Sequence, residues 1–492
     1  MTDSQDLPPT EALTRRALRE GANSPSARSR KPASGGLRGL VAKHPTAWLA
    51  SVLGVVFLLL ATGAVFAGIS AGSGGASALS PAESNVPPRV QPSAIPAGSI
   101  LRTCSVSSQA AAVPGLAASV VNVATGEVLF DRNGTTPASP GPVTKILTAA
   151  AAIQALGAST QLSTKVVLGS SPGSIVLVGG GDPTLSTTSS SFYEGAPLMD
   201  DLAVAAMTKY DELYPTTPVT QIVLDSTMWD PADNWESSWP TSLRSQGYLP
   251  YITALMVDGA RSDPTQAVSS RSSDPIARAG EAFAAAAGLG GGVTFSRGAA
   301  LGTTVLAEVK SQPISTLVAQ MLEWDDDTLA EMLARVVAKT SGLNGGTSSA
   351  GQALAGTVGA FTIVPVPTLS IKDGSGESPL TTVAPQFIAQ VLALAKTDGM
   401  GLGVVYSSLS AAGSGELSGR FTGANTVPDG AILAKAGTID NQRSLAGVAN
   451  SADGTSLAFA FYAIGDGSTA TRDAVETLAT AVYACGDNLS NN

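Results

Sequence analysis

The number of histidines limits which side chains are available for catalysis. The 492-residue chain contains a single histidine, His44, which lies in a flanking segment. A serine-histidine-aspartate triad and a metal site made of several histidines are therefore excluded from the folded part. Any catalytic chemistry must use serine, lysine, aspartate and glutamate. A serine nucleophile would then need a base other than histidine.

The most concentrated group of such side chains is the acidic run Asp325, Asp326 and Asp327. Carboxylates bind hard metal ions, which leaves a metal site as one interpretation. Consecutive carboxylates at the start of a helix more often cap the helix and interact with its dipole. We therefore predict no metal site, and no sequence pattern indicates a cofactor.

The composition predicts globular domains. Hydrophobic residues make up 44% of the chain and charged residues only 13%, with a net charge of −10 at pH 7. A chain of this length and apolar content is expected to form two or three domains with hydrophobic cores. Its low content of basic residues argues against a nucleic-acid partner.

An apolar stretch near the amino terminus predicts a membrane anchor. Residues 47–69 carry no charge and can cross a hydrocarbon core of ~30 Å, so we place one transmembrane helix at 46–69. Eight basic and four acidic residues precede it, which predicts a disordered cytoplasmic segment at 1–45. A cleaved signal peptide is the alternative. Residues 70–103, rich in small residues and proline, are expected to be a flexible extracytoplasmic linker.

The only two cysteines, Cys104 and Cys485, lie at the two ends of the region that follows this linker. In an oxidising compartment they are expected to form a disulfide that closes a very long loop. Two unrelated buried thiols are the alternative.

Between the cysteines, strand and helix patterns alternate, which favours an α/β or α+β fold. The predicted elements are a β-hairpin (117–131), a helix ending at Gly157 (143–157), a helix (313–340), three strands (431–439, 444–450 and 457–464) and a closing helix (469–484). The hairpin and the last three strands are expected to share one sheet.

Several strings in this region resemble one enzyme family. LVGGGDPTLS (177–186), TLAEML (328–333), GELSGRF (415–421) and KAGTI (435–439) occur in the order seen in the D-alanyl-D-alanine carboxypeptidase/endopeptidase family typified by penicillin-binding protein 4, peptidase family S13. The resemblance implies a β-lactamase/DD-peptidase-like domain, with an antiparallel sheet flanked by helices. It also implies serine hydrolysis of peptidoglycan stem peptides through Ser-x-x-Lys, Ser-x-Asn and Lys-Thr-Gly motifs.

The spacing of the motifs leaves room for a smaller inserted domain of the kind found in this family. We predict a split DD-peptidase-like domain at 104–161 and 301–486, with the insert at 162–300. The insert would then be bounded on both sides by the domain that holds the motifs.

The first motif has lost its serine. The family string Pro-Ala-Ser-x-x-Lys corresponds to PGPVTK, so Lys145 is retained but Pro142 stands at the nucleophile position. Proline has neither a hydroxyl nor a backbone N–H. The resemblance implies that this N–H is one of two oxyanion donors, so the replacement removes two catalytic groups.

The second motif is also altered. Asp325 and Asp327 stand at the positions of its serine and its asparagine. If the family fold is kept, both carboxylates should approach Lys145 and hold it protonated, so that it cannot act as a base.

The third motif retains Lys435 and Gly437, whereas Ala436 replaces its threonine. The resemblance makes Lys435 a catalytic motif position, together with Lys145, Asp325 and Asp327. It assigns substrate binding to Lys435, Gly437 and Thr438, and it implies that the N–H of Thr438 could still serve as the second oxyanion donor.

Ser139 offers an alternative nucleophile, if PGP is read as an insertion between it and Lys145. Against this, serine and lysine must lie one helical turn apart to touch, and Pro140 and Pro142 would break that turn.

The sequence therefore predicts a membrane-anchored, extracytoplasmic family member that is inactive or impaired. Its partner would be a peptidoglycan stem peptide or a protein of the cell-wall machinery. Two alternatives stay open, namely an active D-Ala-D-Ala carboxypeptidase that uses Ser139 and Lys145, and an unrelated membrane-anchored binding module.

Overall fold

The computed structural model of the chain describes residues 101–361 and 369–492. The predicted cytoplasmic segment, the transmembrane helix at 46–69 and the linker up to residue 100 lie outside the described residues. Among the residues that are described, no helix is both long and apolar enough to cross a membrane.

The elements follow one another in chain order. The strands are β1 (Cys104–Ser105), β2 (Ala117–Asn122), β3 (Val128–Arg132), β4 (Gln161–Leu168), β5 (Ser174–Gly179), β6 (Gln221–Asp225), β7 (Thr294–Arg297), β8 (Val305–Pro313), β9 (Leu369–Ser370), β10 (Thr382–Val383), β11 (Ser410–Ala411), β12 (Ile432–Ile439), β13 (Gln442–Asn450), β14 (Ser456–Ile464) and β15 (Leu489–Ser490). The helices are α1 (Ser107–Ala111), α2 (Lys145–Leu156), α3 (Met199–Leu213), α4 (Ser242–Ser245), α5 (Pro275–Ala286), α6 (Ile314–Glu323), α7 (Asp327–Thr340), α8 (Thr347–Val358), α9 (Pro385–Lys396), α10 (Gly403–Ser407) and α11 (Thr469–Cys485).

A six-stranded antiparallel sheet forms the centre of the described domain, in the order β11-β12-β13-β14-β2-β3. The predicted hairpin is β2 and β3, and the three predicted strands are β12 to β14, so the expectation that both share one sheet is confirmed. Both faces of β13 and β14 are buried, which explains their nearly continuous apolar sequences.

Helices cover both faces of this sheet. On one face, Val475, Leu478 and Val482 of α11 pack with Phe459 and Phe461 of β14. The other face belongs to a second apolar cluster that includes α2, α7 and α9. The alanine run of α2 is fully buried, and its small side chains allow close approach of the neighbouring helices. This layer fixes where α2 and α7 begin, which is where the candidate site lies.

A second sheet of five strands has the order β7-β6-β5-β4-β8. It is mixed, because β4 pairs antiparallel with β5 and β8, whereas β5, β6 and β7 run parallel. Helices α3 and α5 pack on it and complete a separate apolar cluster. Its strands lie between residues 161 and 313, and the predicted insert boundaries of 162–300 stay a prediction.

The single helix predicted at 313–340 is wrong. The structure has two helices there, α6 and α7, separated by Trp324 to Asp326. Asp325 has a backbone φ of 55°, in the left-handed region, which ends α6 and cannot occur inside a right-handed helix. Asp326 then caps α7 by accepting a hydrogen bond from the N–H of Leu329 at 2.7 Å.

The predicted disulfide between Cys104 and Cys485 is confirmed, with 5.5 Å between the two Cα atoms. Short parallel pairing of β1 with β15 lies beside it. Arg102 donates to Glu127 at 2.7 Å and to the backbone carbonyl of Asp487 at 2.8 Å. The start and the end of the domain are therefore held together covalently and by polar contacts.

We expect the double variant Cys104→Ser/Cys485→Ser to lower the free energy of unfolding by about 2–5 kcal/mol, because the disulfide closes a very long loop in the unfolded chain. Urea unfolding of the full-length protein measures this change. Wild-type protein treated with reductant should show the same loss. A double variant as stable as the oxidised wild type would contradict the prediction.

Candidate functional site

A cleft of about 590 Å³ opens where the start of α7, the turn before α2 and strand β12 meet. The motif residues on its wall are Pro142, Asp325, Asp326, Asp327, Ala436, Gly437 and Thr438. The cleft therefore brings together positions from all three motifs, which lie far apart in the sequence.

The first motif begins in a 3₁₀ turn, Gly141–Thr144, that leads directly into α2. Pro142 is buried in this turn and precedes Lys145, the first residue of α2, by about one helical turn. A methyl group on Gly437 of β12 would lie 3.1 Å from Cδ of Pro142. The proline ring thus lies against Gly437 of the third motif, at the position that the sequence assigns to the nucleophile.

Asp325 joins the two motif lysines. Its Oδ1 atom lies 2.8 Å from Nζ of Lys145 and 2.8 Å from Nζ of Lys435. Both lysine side chains are almost fully buried, whereas Asp325 keeps 37% of its side-chain surface exposed. One carboxylate at the cleft surface is therefore paired with two buried ammonium groups.

Further acceptors surround Lys145. Its Nζ donates to Oδ1 of Asp327 at 2.6 Å and to the carbonyl oxygen of Ser375 at 3.2 Å. No hydrogen bond within the described residues joins it to a hydroxyl group. The ammonium group of Lys145 therefore contacts two carboxylates of the second motif and one backbone carbonyl oxygen.

Lys435 is held in the same way. Its Nζ donates to Oε1 of Glu416 at 2.7 Å and to the carbonyl oxygen of Ala436 at 2.7 Å. Together with Asp325, these contacts occupy the ammonium group that the third motif would offer to a ligand. Glu416 lies in the string GELSGRF, and nothing in its sequence position assigned it to the site.

Asp326 points away from the two lysines and into a buried ion pair. Its Oδ2 accepts from Nη2 of Arg261 at 2.7 Å and from the hydroxyl of Tyr193 at 3.2 Å. The guanidinium of Arg261 also stacks over the ring of Phe192 at 4.6 Å. Asp326 is thus paired with an arginine, whereas Asp325 and Asp327 on either side of it share Lys145.

These contacts determine the ionisation of the cluster. Burial lowers the pKa of Lys145, but the charges of Asp325 and Asp327 outweigh this and raise the pKa well above its usual 10.5. Burial raises the pKa of the Asp325 carboxyl, and the charges of Lys145 and Lys435 reverse this and lower it. Burial raises the pKa of Asp327 to about 6. Lys145 is consequently a cation at neutral pH and has no lone pair for proton abstraction.

Two more glutamates take part that sequence reasoning missed. Glu377 lines the cleft, and burial together with the charge of Asp327 raises its pKa to about 9. Glu331 is buried on α7, and its Oε1 accepts from the N–H groups of Gly374 and Ser375 at 2.9 and 2.6 Å. Burial raises the pKa of Glu331 to about 8.

The alternative nucleophile is not brought to the lysine. Oγ of Ser139 has no hydrogen-bond partner among the described residues, and the residue's carbonyl oxygen accepts from Gln442. Thr438 is exposed, and its hydroxyl accepts from Arg443. The structure therefore joins Lys145, Asp325, Asp327 and Lys435 in one cluster, with Gly437 and Thr438 on the same cleft and Ser139 apart from it.

We expect stability to fall as the pH rises from about 4.5 to about 8. The carboxyl of Glu331 has a pKa of about 8 in the folded protein and 4.5 in the unfolded chain, so the folded state binds its proton more tightly. This contribution is complete below pH 4.5 and is lost as the pH rises through about 8, at up to about 1.4 kcal/mol per pH unit.

Urea unfolding at several pH values measures this effect. Glu331→Gln keeps the acceptor oxygen but cannot ionise, so its stability should vary less with pH than that of the wild type. Glu281→Gln, at an exposed position of α5, is the matched control and should behave like the wild type. Equal pH dependence in all three proteins would contradict the assignment of a buried neutral carboxyl.

Comparison with known proteins identifies the family of this chain. The D-Ala-D-Ala carboxypeptidase 3 (S13) family model matches residues 105–269 and 260–483. The chain is 30% identical over 474 residues to carboxypeptidase DacB of Mycolicibacterium smegmatis, covering 90% of this chain and 99% of that protein. It is 32% identical over 435 residues to a carboxypeptidase of Mycobacterium tuberculosis, covering 82% of this chain and 90% of that protein.

Among solved structures, penicillin-binding protein 4 of Haemophilus influenzae superposes with a TM-score of 0.63 at 16% identity, covering 77% of this chain and 99% of that one. This likeness shows the same α/β fold with several sheets. The family match excludes the alternative of an unrelated binding module. The chain belongs to the peptidase S13 family of D-Ala-D-Ala carboxypeptidases, which act on peptidoglycan stem peptides in peptidoglycan maturation.

Proposed function

We propose that this protein is a family member that has lost, or strongly reduced, serine acyl transfer and that acts by binding peptidoglycan stem peptides or a protein of the cell-wall machinery. The observation that supports this most is the replacement of the nucleophile by Pro142 beside a Lys145 that is paired with two carboxylates. Neither half of the serine-lysine pair is then available for the reaction.

The chemical step would lack several contributions at once. Pro142 has no hydroxyl to attack a carbonyl carbon, and it has no N–H to stabilise a tetrahedral oxyanion. Loss of one oxyanion donor alone reduces the rate about 10²–10³-fold in other acyl-transfer enzymes. Lys145, held as a cation, cannot accept the proton of any other nucleophile placed there.

Recognition of a carboxyl-terminal D-alanine would also be weakened. Lys435 would have to attract the substrate carboxylate, but its Nζ is already paired with Asp325 and Glu416 at 2.8 and 2.7 Å. Both carboxylates lie on the cleft and would repel a second anion. A loss of affinity for the D-alanine carboxylate should therefore accompany the loss of acyl transfer.

An extended peptide still has a place to bind. Strand β11 pairs with β12 only at Leu433 and Ala434. Residues 436–440 line the cleft instead, and no other described strand pairs with them on that side. The N–H and the carbonyl of Ala436 already bond to the side chains of Glu416 and Lys435, so the open part of the edge begins after it. Main-chain hydrogen bonds to such an open strand edge hold a peptide without any catalytic group. This edge supports a binding role for the protein.

We also propose a location at the cell membrane, single-pass, with residues 1–45 cytoplasmic and the folded domain extracytoplasmic. The uncharged stretch at 47–69 and the basic residues before it support this topology. Protease added to intact spheroplasts should digest the folded domain and leave a short membrane-bound amino-terminal fragment. Release of the whole domain as a soluble, amino-terminally processed protein would instead indicate a cleaved signal peptide.

The test of the lost chemistry is labelling of the full-length protein with fluorescent penicillin. The wild type should form no covalent adduct. Pro142→Ser alone should also stay unlabelled, because Asp325 and Asp327 still hold Lys145 as a cation. The triple variant Pro142→Ser/Asp325→Ser/Asp327→Asn restores both neutral relay groups and should acylate slowly. A labelled wild type would refute the proposal.

The alternative of an active enzyme is tested by a second pair of variants. If Ser139 were the nucleophile, Ser139→Ala would abolish release of D-alanine from a pentapeptide and Pro142→Ala would not. We expect no release above background from the wild type or from either variant. Turnover that disappears only in Ser139→Ala would establish the alternative.

A further inference from the structure

One arginine of the cleft has no carboxylate partner. We propose that Arg271 binds the carboxylate of a peptide side chain, whose aliphatic part lies against Phe192, Tyr248 and Val268. This inference rests on the proposed function, because it takes the cleft as a binding site without acyl transfer. It assigns the anion subsite to the connection between β6 and β7, rather than to the two motif lysines.

The ion pairs of the cleft account for its other cations. At neutral pH its cationic and anionic side chains nearly balance, because burial raises the pKa of Glu377 to about 9 and that carboxyl stays protonated. No carboxylate of the described residues lies within ion-pair distance of Arg271, which lines the cleft. Every other cation of the cleft contacts one: Lys145 and Lys435 share Asp325, Arg261 contacts Asp326, and Arg420 contacts Glu476. An incoming carboxylate would therefore pair with Arg271 without displacing one of the protein's own.

Backbone carbonyls hold the guanidinium of Arg271 in place and leave part of it free. Its Nε donates to the carbonyl oxygen of Gly247 at 2.8 Å and its Nη2 to that of Tyr248 at 2.9 Å, while Nη1 donates to that of Gly259. A guanidinium has five N–H donors, so one N–H on each Nη atom has no acceptor among the described residues. A planar fork that is fixed in advance suits the two oxygens of a carboxylate.

A second guanidinium adds positive charge at this place. A methyl group on Gly259 would lie 2.5 Å from Nη1 of Arg261 and 3.3 Å from Nη1 of Arg271, so the two guanidinium groups are neighbours. Burial and the charge of Arg261 lower the pKa of Arg271 to about 10, and the charges of Asp326 and Asp327 oppose this shift without outweighing it. Arg271 is still a cation at neutral pH, and a bound carboxylate would offset the repulsion from its neighbour.

Apolar side chains lie beside both arginines. The guanidinium of Arg261 stacks over the ring of Phe192 at 4.6 Å. Tyr248, whose carbonyl oxygen holds Arg271, and Val268 line the same cleft and expose 47% and 51% of their surface. Methylene groups packed against these side chains would leave water while the carboxylate reached Arg271. The arrangement therefore favours an acid on an aliphatic stem over a mineral anion.

The experiment is saturation-transfer NMR on the full-length protein with pentanoate as the probe. We expect saturable binding of pentanoate and none of 1-pentanol, the uncharged analogue of equal length. Arg271→Gln should weaken the affinity at least about tenfold, because it removes a charge-assisted contact. Arg297→Gln, at an exposed position of β7, is the matched control and should bind like the wild type. Equal binding of the alcohol, absence of pentanoate binding, equal affinity of the two variants, or displacement of pentanoate by an equal concentration of inorganic phosphate would overturn the proposal.

A second variant separates binding from the structure of the loops. Arg271→Lys keeps the positive charge but loses the planar fork and its contacts with the three carbonyl oxygens. We expect its affinity for pentanoate to lie between those of the wild type and Arg271→Gln. If Arg271→Lys bound pentanoate as weakly as Arg271→Gln, the loss would come from the loop contacts, and the proposal would be wrong.

A further arm identifies the source of the carboxylate. A stem tripeptide and the peptide Ala-Glu-Ala, both amidated at the carboxyl terminus, are each compared with forms whose side-chain carboxylate is amidated too. Binding of either peptide only in its free-acid form supports the proposal and names the source, and binding of neither overturns it. A penicillin adduct would refute the proposed loss of chemistry and leave the carboxylate result standing, whereas failed carboxylate binding without an adduct refutes only this inference.

Discussion

The pairing of one carboxylate with two lysines determines the properties of this site. Asp325 reaches both Lys145 and Lys435 because its backbone adopts a left-handed conformation between α6 and α7. That conformation ends one helix and lets the next begin at Asp327, whose carboxylate then contacts Lys145 as well. The break between the helices and the electrostatics of the cleft are consequences of the same local geometry.

The energetic cost of this cluster explains why the altered motif positions depend on one another. A buried ammonium group without a partner is strongly destabilising, so removal of one member of a buried ion pair typically costs several kcal/mol. Lys145 and Lys435 are almost fully buried, and Asp325, Asp327 and Glu416 pair with them. With a serine at position 142 these same contacts would keep the lysine from acting as a base. The proline and the aspartates would therefore each act against the serine-lysine reaction.

The sequence predicted those parts of the fold and of the site that follow from local patterns and from the order of the motifs. The hairpin, the three final strands and the disulfide between Cys104 and Cys485 follow from local patterns and from composition. The approach of Asp325 and Asp327 to Lys145 followed from the family resemblance, because the fold places the motifs side by side. The helix break was missed, since the apolar stripe continues through 313–340 and left-handed aspartates have no distinctive pattern.

The remaining acidic groups could not be found from the sequence. Glu377 is a single glutamate in a loop and Glu416 one in a short 3₁₀ turn, and only the tertiary fold brings them to the cleft that holds Asp325. Glu331 lies on α7, and its role depends on the two N–H groups of a distant turn. A buried carboxyl in such a place differs from an ordinary helical glutamate only through its surroundings.

The charge of Lys145 is the central claim, and its titration can be measured directly. In the full-length protein with isotopically labelled lysine, assigned through a Lys145→Arg variant, NMR follows the side-chain nitrogen signal against pH. Protonation held by Asp325 and Asp327 predicts no titration of Lys145 below its ordinary pKa of 10.5. A titration near neutral pH, as a general base requires, would contradict the account.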